Sequence, residues 1–132
     1  MRILLAVAVL GVVACGGGTE PTTDEMTGRW TSAQMDAYFG VTLNLTEHSA
    51  SDIRGTWTGR HSEQLRQGVV TGTREGQGIT LTIQPSAEMG CGYGLIVELE
   101  RTSSVSATGT AANTTCDGDK GIHTSAVSIS RR

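Results

Sequence analysis

The chain has 132 residues, of which 37% are hydrophobic and only 4% aromatic, and its formal net charge is −3 at pH 7. This length suits one domain with one core, since domains usually hold roughly 50 to 200 residues. Charges of both signs are scattered along the chain. No basic cluster is present to neutralise phosphates, so we expect no nucleic-acid partner.

The first predicted element is an N-terminal export signal. Arg2 gives a positive start, and residues 3–13 are continuously apolar. This stretch is shorter than the roughly 20 residues that a membrane-spanning helix needs. Val12-Val13-Ala14-Cys15 resembles the lipobox of bacterial lipoprotein precursors, whose signal is cut before a Cys that carries a diacylglycerol. The resemblance implies a signal peptide over residues 1–14 and an acyl anchor (palmitate or a similar chain) on Cys15. An ordinary signal with an incidental Cys is the alternative.

A flexible tether is predicted next, over residues 15–26. Three glycines at 16–18 are followed by a Thr-rich and acidic stretch, which is typical of a linker. The tether would hold the folded domain, residues 27–132, at a membrane surface outside the cytoplasm. Gly rather than Asp after Cys15 favours the outer membrane in the best-known lipoprotein sorting rule, which varies among bacteria. Loss of Arg2 with the signal leaves a net charge of −4.

Eight strands are predicted in the folded part, because apolar and polar residues alternate there with a period of two. The clearest alternating runs start at Val41, Ile53, Ile79 and Leu95. Weaker runs cover residues 28–34, 67–74, 105–112 and 122–130. Residues 33–39 and 62–67 lie between strands, where a single helical turn could form.

Short polar connectors join these strands and predict hairpins. They lie at residues 49–52, 75–78, 101–104 and 117–119. Consecutive hairpins make an antiparallel meander, and eight such strands avoid exposed edges by closing into an up-and-down barrel. Gly-Thr recurs within strands at Gly55, Gly72 and Gly109, as expected where strands bend. An eight-stranded interior is filled by side chains or holds one small ligand.

Two further cysteines, Cys91 and Cys116, predict a disulfide. Cys91 precedes the sixth strand, Cys116 follows the seventh, and their midpoint falls in the connector at 101–104. Residues equidistant from a hairpin turn lie opposite each other, and exported proteins keep disulfides. Two free thiols are the alternative.

The start of the folded part resembles known barrel families. Gly28-Arg29-Trp30 is similar to the Gly-x-Trp of lipocalins and avidins, whose Trp plugs or lines one end of an eight-stranded barrel. Residues 41–59 and 70–83 resemble small β-barrel lipoproteins common in bacterial genomes, mostly of unassigned function. Size and export are also similar to those of barrels that inhibit lysozymes or proteases. The chain is shorter than a lipocalin barrel and has fewer Trp than an avidin pocket, so these resemblances imply architecture and no particular ligand.

The aromatic residues are the candidate ligand-binding groups. Trp57 alternates with threonines and is expected to point inward, as is Trp30 on the first strand. Each either plugs the core or lines a pocket for a hydrophobic ligand, and the small barrel favours the plug. Tyr38 and Phe39 are expected in a long connector, where they either anchor a partner protein or cap the barrel end.

No catalytic constellation is visible. Three histidines fall singly along the chain, at His48, His61 and His123. Residues 117–119 lack the rest of a calcium loop, and Glu98 and Glu100 share an outward strand face. No Gly-x-Ser-x-Gly elbow is present. We therefore expect no enzyme, metal or cofactor.

The sequence thus predicts a monomeric, non-enzymatic cell-envelope lipoprotein that binds a small hydrophobic ligand inside the barrel or a protein partner through its loops. The alternative is a proteinaceous inhibitor of an envelope or host hydrolase. Such an inhibitor would need a protruding loop, expected at residues 33–40 or 62–68. A purely structural role is a third reading.

Overall fold

The computed structural model describes residues 25–132, so the predicted signal peptide, Cys15 and residues 16–24 of the predicted tether lie outside the described residues. Eight strands follow one another in this part of the chain: β1 Gly28–Met35, β2 Tyr38–Ser49, β3 Asp52–His61, β4 Gln64–Glu75, β5 Gly78–Pro85, β6 Leu95–Ser103, β7 Ser106–Thr114 and β8 Lys120–Arg131. Each is antiparallel to the next, and β1 also pairs with β8. The predicted all-β, up-and-down, eight-stranded barrel is confirmed.

The core lies inside the barrel and follows the period-two pattern of the sequence. In β5, for example, Ile79, Leu81 and Ile83 are buried while Thr80 faces outward. A 3-10 helix at Ala87–Met89 interrupts the connector between β5 and β6. In residues 25–132, no helix has the length and apolar character needed to cross a membrane.

Two predicted connectors are in fact tight hairpin turns. Met35 pairs with Tyr38, and His61 pairs with Gln64, so only two residues separate the strands in each case. The expectation of protruding loops at 33–40 and 62–68 is therefore wrong, as is the placement of Tyr38 and Phe39 in a long connector. Non-glycine residues adopt left-handed conformations at these turns: Asp36 (φ 55°), Ser62 (φ 51°) and Glu63 (φ 69°). Two successive positive φ values suit a two-residue hairpin, although Ser-Glu gives no sequence signal for one.

The two ends of the barrel differ. The N-terminal end carries Glu25, the turns at residues 50–51, 76–77 and 104–105, and the C-terminus. The disulfide end carries the turns at 36–37 and 62–63 and the connectors at 86–94 and 115–119. Cys91 and Cys116 join those two connectors with an S–S distance of 2.06 Å, which confirms the predicted disulfide.

Residues that the sequence placed in the tether close the N-terminal end. Met26 is fully buried, and its backbone N–H donates to Glu47 Oε1 at 3.0 Å. Trp30 Nε1 donates to the Met26 carbonyl at 2.9 Å, and Arg101 Nη1 donates to the Glu25 carbonyl at 2.9 Å. The predicted boundary at residue 27 is therefore too late, because these contacts make Glu25 and Met26 part of the domain.

Candidate functional site

Both tryptophans lie inside the barrel. In one cross-strand row, Leu43 of β2 lies between Trp30 of β1 and Trp57 of β3. The two tryptophans are 0% and 1% exposed. The Trp30 ring packs under the guanidinium groups of Arg131 and Arg101, which lie 4.7 and 5.5 Å from its centroid. The polar N–H of each indole is bonded to a backbone carbonyl, so both rings act as interior packing.

Trp57 reaches across a neighbouring strand through a gap left by a glycine. The indole N–H of Trp57 donates to the Gln84 carbonyl of β5 at 2.8 Å. To reach it, the ring passes over Gly68 of β4, the residue with which Trp57 pairs across the two strands. A Cβ atom at Gly68 would lie 1.9 Å from the Gln84 oxygen and 2.8 Å from Trp57 Nε1. The contact between β4 and β5 at this point therefore depends on the missing side chain.

Aromatic side chains extend from Trp57 to the surface at the disulfide end. The ring centroid of Tyr38 lies 4.8 Å from that of Trp57 and 5.4 Å from that of His61. The ring centroids of His61 and Tyr93 are 5.5 Å apart. The Tyr38 hydroxyl donates to the Tyr93 carbonyl at 2.6 Å. Burial raises the pKa of Tyr38 to about 12. These contacts hold the connector at 86–94 over the barrel mouth.

A cleft opens beside this aromatic cap, between β4 and the connector at 86–94. One part, of about 280 Å³, is lined by His61, Ser62, Arg66, Glu88, Met89 and Tyr93. The adjoining part, of about 260 Å³, is lined by Leu65, Arg66, Gln67, Ser86 and Glu88. Arg66 and Glu88 line both parts. We call the two parts together the disulfide-end cleft.

Arg66 gives the cleft a cation that forms no ion pair among the described residues, although Glu88 lines the same cleft. Its Nη2 donates to the Gln64 side-chain oxygen, and its Nε is buried without a hydrogen-bond partner. Among the described residues, no acidic oxygen lies within 4.0 Å of Arg66 or forms an ion pair with it, and Glu88 has no ion-pair partner either. The guanidinium lines both parts of the cleft, and its one hydrogen bond within the described residues is made by Nη2, so Arg66 can pair with an incoming acceptor.

An exposed apolar strip adjoins the cleft on the outer face of the barrel. Phe39 of β2 pairs with Arg60 of β3, and Arg60 pairs with Leu65 of β4. Phe39 is 52% exposed, Leu65 66%, and Val69, farther along β4, 49%. Leu65 lines the cleft as well, so strip and cleft form one continuous surface at the disulfide end.

The other candidate residues lie apart from this surface. Glu98 forms an exposed ion pair with Lys120, and the turn at 117–119 is closed by the Gly118 N–H donating to the Thr115 carbonyl at 2.9 Å. Across residues 25–132, no three His, Cys, Asp or Glu side chains are placed to hold a metal ion.

The sequence patterns did not indicate Arg66, Glu88 or Gly68 as residues of the candidate site. A signal for Arg66 exists in β4, whose inward-facing series at every second residue begins with Arg66 and ends with Arg74. A charged residue at each end of an otherwise small or apolar inward series marks the two mouths of a barrel. Glu88 has no comparable signal.

No protein-family model matches the chain, and no curated protein matches it significantly. Because a barrel fold alone does not imply a function, the residues of the disulfide end carry the functional inference.

Proposed function

We propose that the protein is a lipid-anchored, non-enzymatic binding module of the bacterial cell envelope, and that it recognises a protein partner with the disulfide end of its barrel. The burial of Trp30 and Trp57, with both indole N–H groups bonded to backbone, is the observation that carries this proposal. It favours a filled barrel over a carrier of small molecules. A partner would then bind to the outer surface of the barrel.

The lipid anchor would leave the disulfide end free. The signal pattern and lipobox support acylation of Cys15, and Glu25 packs at the N-terminal end of the barrel. Residues 16–24 can span at most about 30 Å when fully extended. The N-terminal end would therefore stay near the membrane while the disulfide end points away from it.

The composition of the disulfide end suits a protein partner. Phe39, Leu65 and Tyr93 are exposed beside Arg60 and Arg66. Aromatic and Arg side chains are enriched at the centres of protein interfaces and dominate their binding energy. A partner covering this surface would remove apolar area from water and pair the cleft cation.

Site-specific photo-crosslinking in the native bacterium tests this proposal. The full-length precursor would carry a photoreactive phenylalanine at Leu65, or at Val105 on the N-terminal end as a control of similar exposure (53%). We expect a discrete protein adduct from position 65, absent from position 105 and lost when Phe39→Asp is added. No adduct from position 65 would contradict the proposal.

Native mass spectrometry tests the competing carrier function. We expect the protein extracted from membranes to show its own mass plus the anchor. A reproducible additional small molecule, released on denaturation, would instead identify a carrier barrel and overturn the filled-barrel interpretation.

A hydrolase inhibitor is the second candidate, favoured by one observation. The connector at 86–94 is fixed by the Cys91–Cys116 disulfide and presents Tyr93, which is 43% exposed. A rigid, exposed connector is a suitable shape for blocking an active site, because little conformational entropy is lost on binding. Titration of lysozyme and envelope proteases should then show inhibition that Tyr93→Ala removes. Absence of inhibition would reject this candidate.

A further inference from the structure

We infer that the disulfide-end cleft binds an extended peptide segment of the partner, which adds as a short strand to β4 and places a carboxylate on Arg66. This inference rests on the proposed function and names the chemistry of the partner. Three observations carry it: a stretch of β4 that is paired on one side only, the departure of the chain from the sheet after Pro85, and Arg66, which forms no ion pair, beside that stretch.

The first observation is a free strand edge. β4 pairs with β3 from Gln64 onward, but its pairing with β5 begins only at Gly68, opposite Pro85. Residues 64–67 therefore have a strand partner on one side only. In an antiparallel ladder, alternate residues direct their N–H and C=O groups to opposite sides. Some of the peptide groups of residues 64–67 thus face the cleft, where an added strand would hydrogen-bond to them.

The second observation explains why β5 does not cover this edge. The pairing of β5 with β4 ends at Pro85, directly after Gln84, whose carbonyl accepts the Trp57 indole N–H. The chain then leaves the sheet at Ser86 and enters the 3-10 helix Ala87–Met89, which forms the far wall of the cleft. The end of β5 at Pro85 therefore leaves residues 64–67 of β4 uncovered on this side.

The third observation gives the chemical character of the occupant. Arg66 belongs to the inward series of β4, whereas Leu65 and Gln67 face outward. On an added strand, a residue opposite Arg66 would share its face, and its two neighbours would lie opposite Leu65 and Gln67. A planar guanidinium with free donors suits a carboxylate. The favoured segment is therefore an acidic residue flanked by apolar or β-branched residues.

Peptide binding to the whole protein, solubilised in detergent, tests this inference. The probe is acetyl-Thr-Val-Asp-Val-Thr-amide, followed by ¹⁵N NMR of the protein. We expect shifts of the backbone amides of residues 64–67 and a fall in affinity of about tenfold for the Asn version, as loss of a charged hydrogen-bond partner predicts. N-methylation of the Val residues should abolish binding, because strand addition needs their N–H groups.

Protein variants assign the effect to Arg66. Arg66→Gln should equalise the affinities for the Asp and Asn peptides, whereas Arg60→Gln, a matched loss of charge on the outer strip, should preserve the preference. Arg66→Lys provides a second variant, and the NMR spectrum of each reports directly whether the barrel is folded. An Asp peptide that does not bind, binds no better than Asn, or shifts residues elsewhere would overturn the inference.

The two proposals fail differently. If the Leu65 photo-crosslink persists while the peptide does not bind, strand addition is wrong and partner binding at the disulfide end stands. If the crosslink is also absent, the proposed function itself fails.

Discussion

At the scale of single residues, one glycine determines how two strands meet. Gly68 lies under the Trp57 ring, and the indole reaches the Gln84 carbonyl through the space that a Cβ would occupy. Gly55 and Gly109 allow similar close approaches, where a Cβ would lie 1.9 Å from the carbonyl oxygens of Asn44 and Glu98. Glycine in these strands therefore permits close backbone contact in a narrow barrel.

We expect Gly68→Ala to lower the free energy of unfolding by about 1–3 kcal/mol, the usual cost of overpacking a core. The added methyl group would meet a backbone oxygen and an indole nitrogen, and neither can move without breaking their hydrogen bond. Urea unfolding measures the change. Gly78→Ala is the matched control, since its Cβ would come no closer than 3.4 Å to another atom. Equal stability of the two variants would contradict this account of the gap.

The buried hydroxyl of Tyr38 predicts an alkaline loss of stability. Burial raises the pKa of Tyr38 from 10.0 to about 12. Between these pH values the unfolded chain binds fewer protons than the folded one, so stability falls as pH rises, by up to about 1.4 kcal/mol per pH unit. This contribution is fully present below pH 10. Urea unfolding from pH 8 to 11 should show the decline in the parent protein.

Tyr38→Phe should flatten that decline. It should also lower stability at pH 7 by about 1 kcal/mol, because the hydrogen bond to the Tyr93 carbonyl is lost. Tyr93→Phe removes an exposed tyrosine from the same end of the barrel and should leave the decline in place. An identical pH slope in Tyr38→Phe and the parent protein would show that Tyr38 does not cause it.

At the scale of elements, local patterns predicted the strands and the disulfide but not the cleft. Period-two alternation is a property of each strand alone, and hairpin symmetry paired Cys91 with Cys116 without knowledge of any other strand. The turn at 62–63 was missed because Ser62 and Glu63 take positive φ values without glycine or asparagine. The cleft depends on how far β4 extends beyond its pairing with β5. Pro85 is a local signal for the end of β5, but no pattern within β4 shows that this strand continues over residues 64–67 without a partner there.

The disulfide between the two connectors should contribute substantially to stability. It closes a sequence separation of 25 residues, which corresponds to about 3.5 kcal/mol on the chain-entropy estimate. We expect Cys91→Ser combined with Cys116→Ser to lower the melting temperature by several degrees or more without unfolding the barrel, whose hairpin register is also set by its apolar face. Calorimetry measures the shift, and the reduced parent protein should match the variant. An unchanged melting temperature would mean that the pair is not bridged in solution.

At the scale of the whole molecule, the two ends of the barrel are closed in different ways. At the N-terminal end, Met26 is fully buried and its carbonyl accepts the Trp30 indole N–H. Glu47 forms a largely buried ion pair with Arg74 at 2.7 Å and also accepts the Met26 N–H. At the disulfide end, aromatic rings and a disulfide hold the connectors but leave an open cleft. The folded domain begins at Glu25 and Met26, which help to close the N-terminal end of the barrel. A membrane anchor attached on that side would therefore leave the disulfide end unobstructed.

The anchor itself is tested by replacing the cysteine that would carry it. In cells that make the full-length precursor, Cys15→Ser should abolish labelling by radioactive palmitate and shift the protein out of the membrane fraction, because position 15 then has no sulfur to acylate. Replacing both Cys91 and Cys116 with Ser is the matched control, and it should leave labelling and membrane association intact. If the Cys15→Ser protein stays labelled or remains on the membrane, the anchor lies elsewhere. The disulfide end would then lose its outward orientation, although its cleft would still be free to bind a peptide.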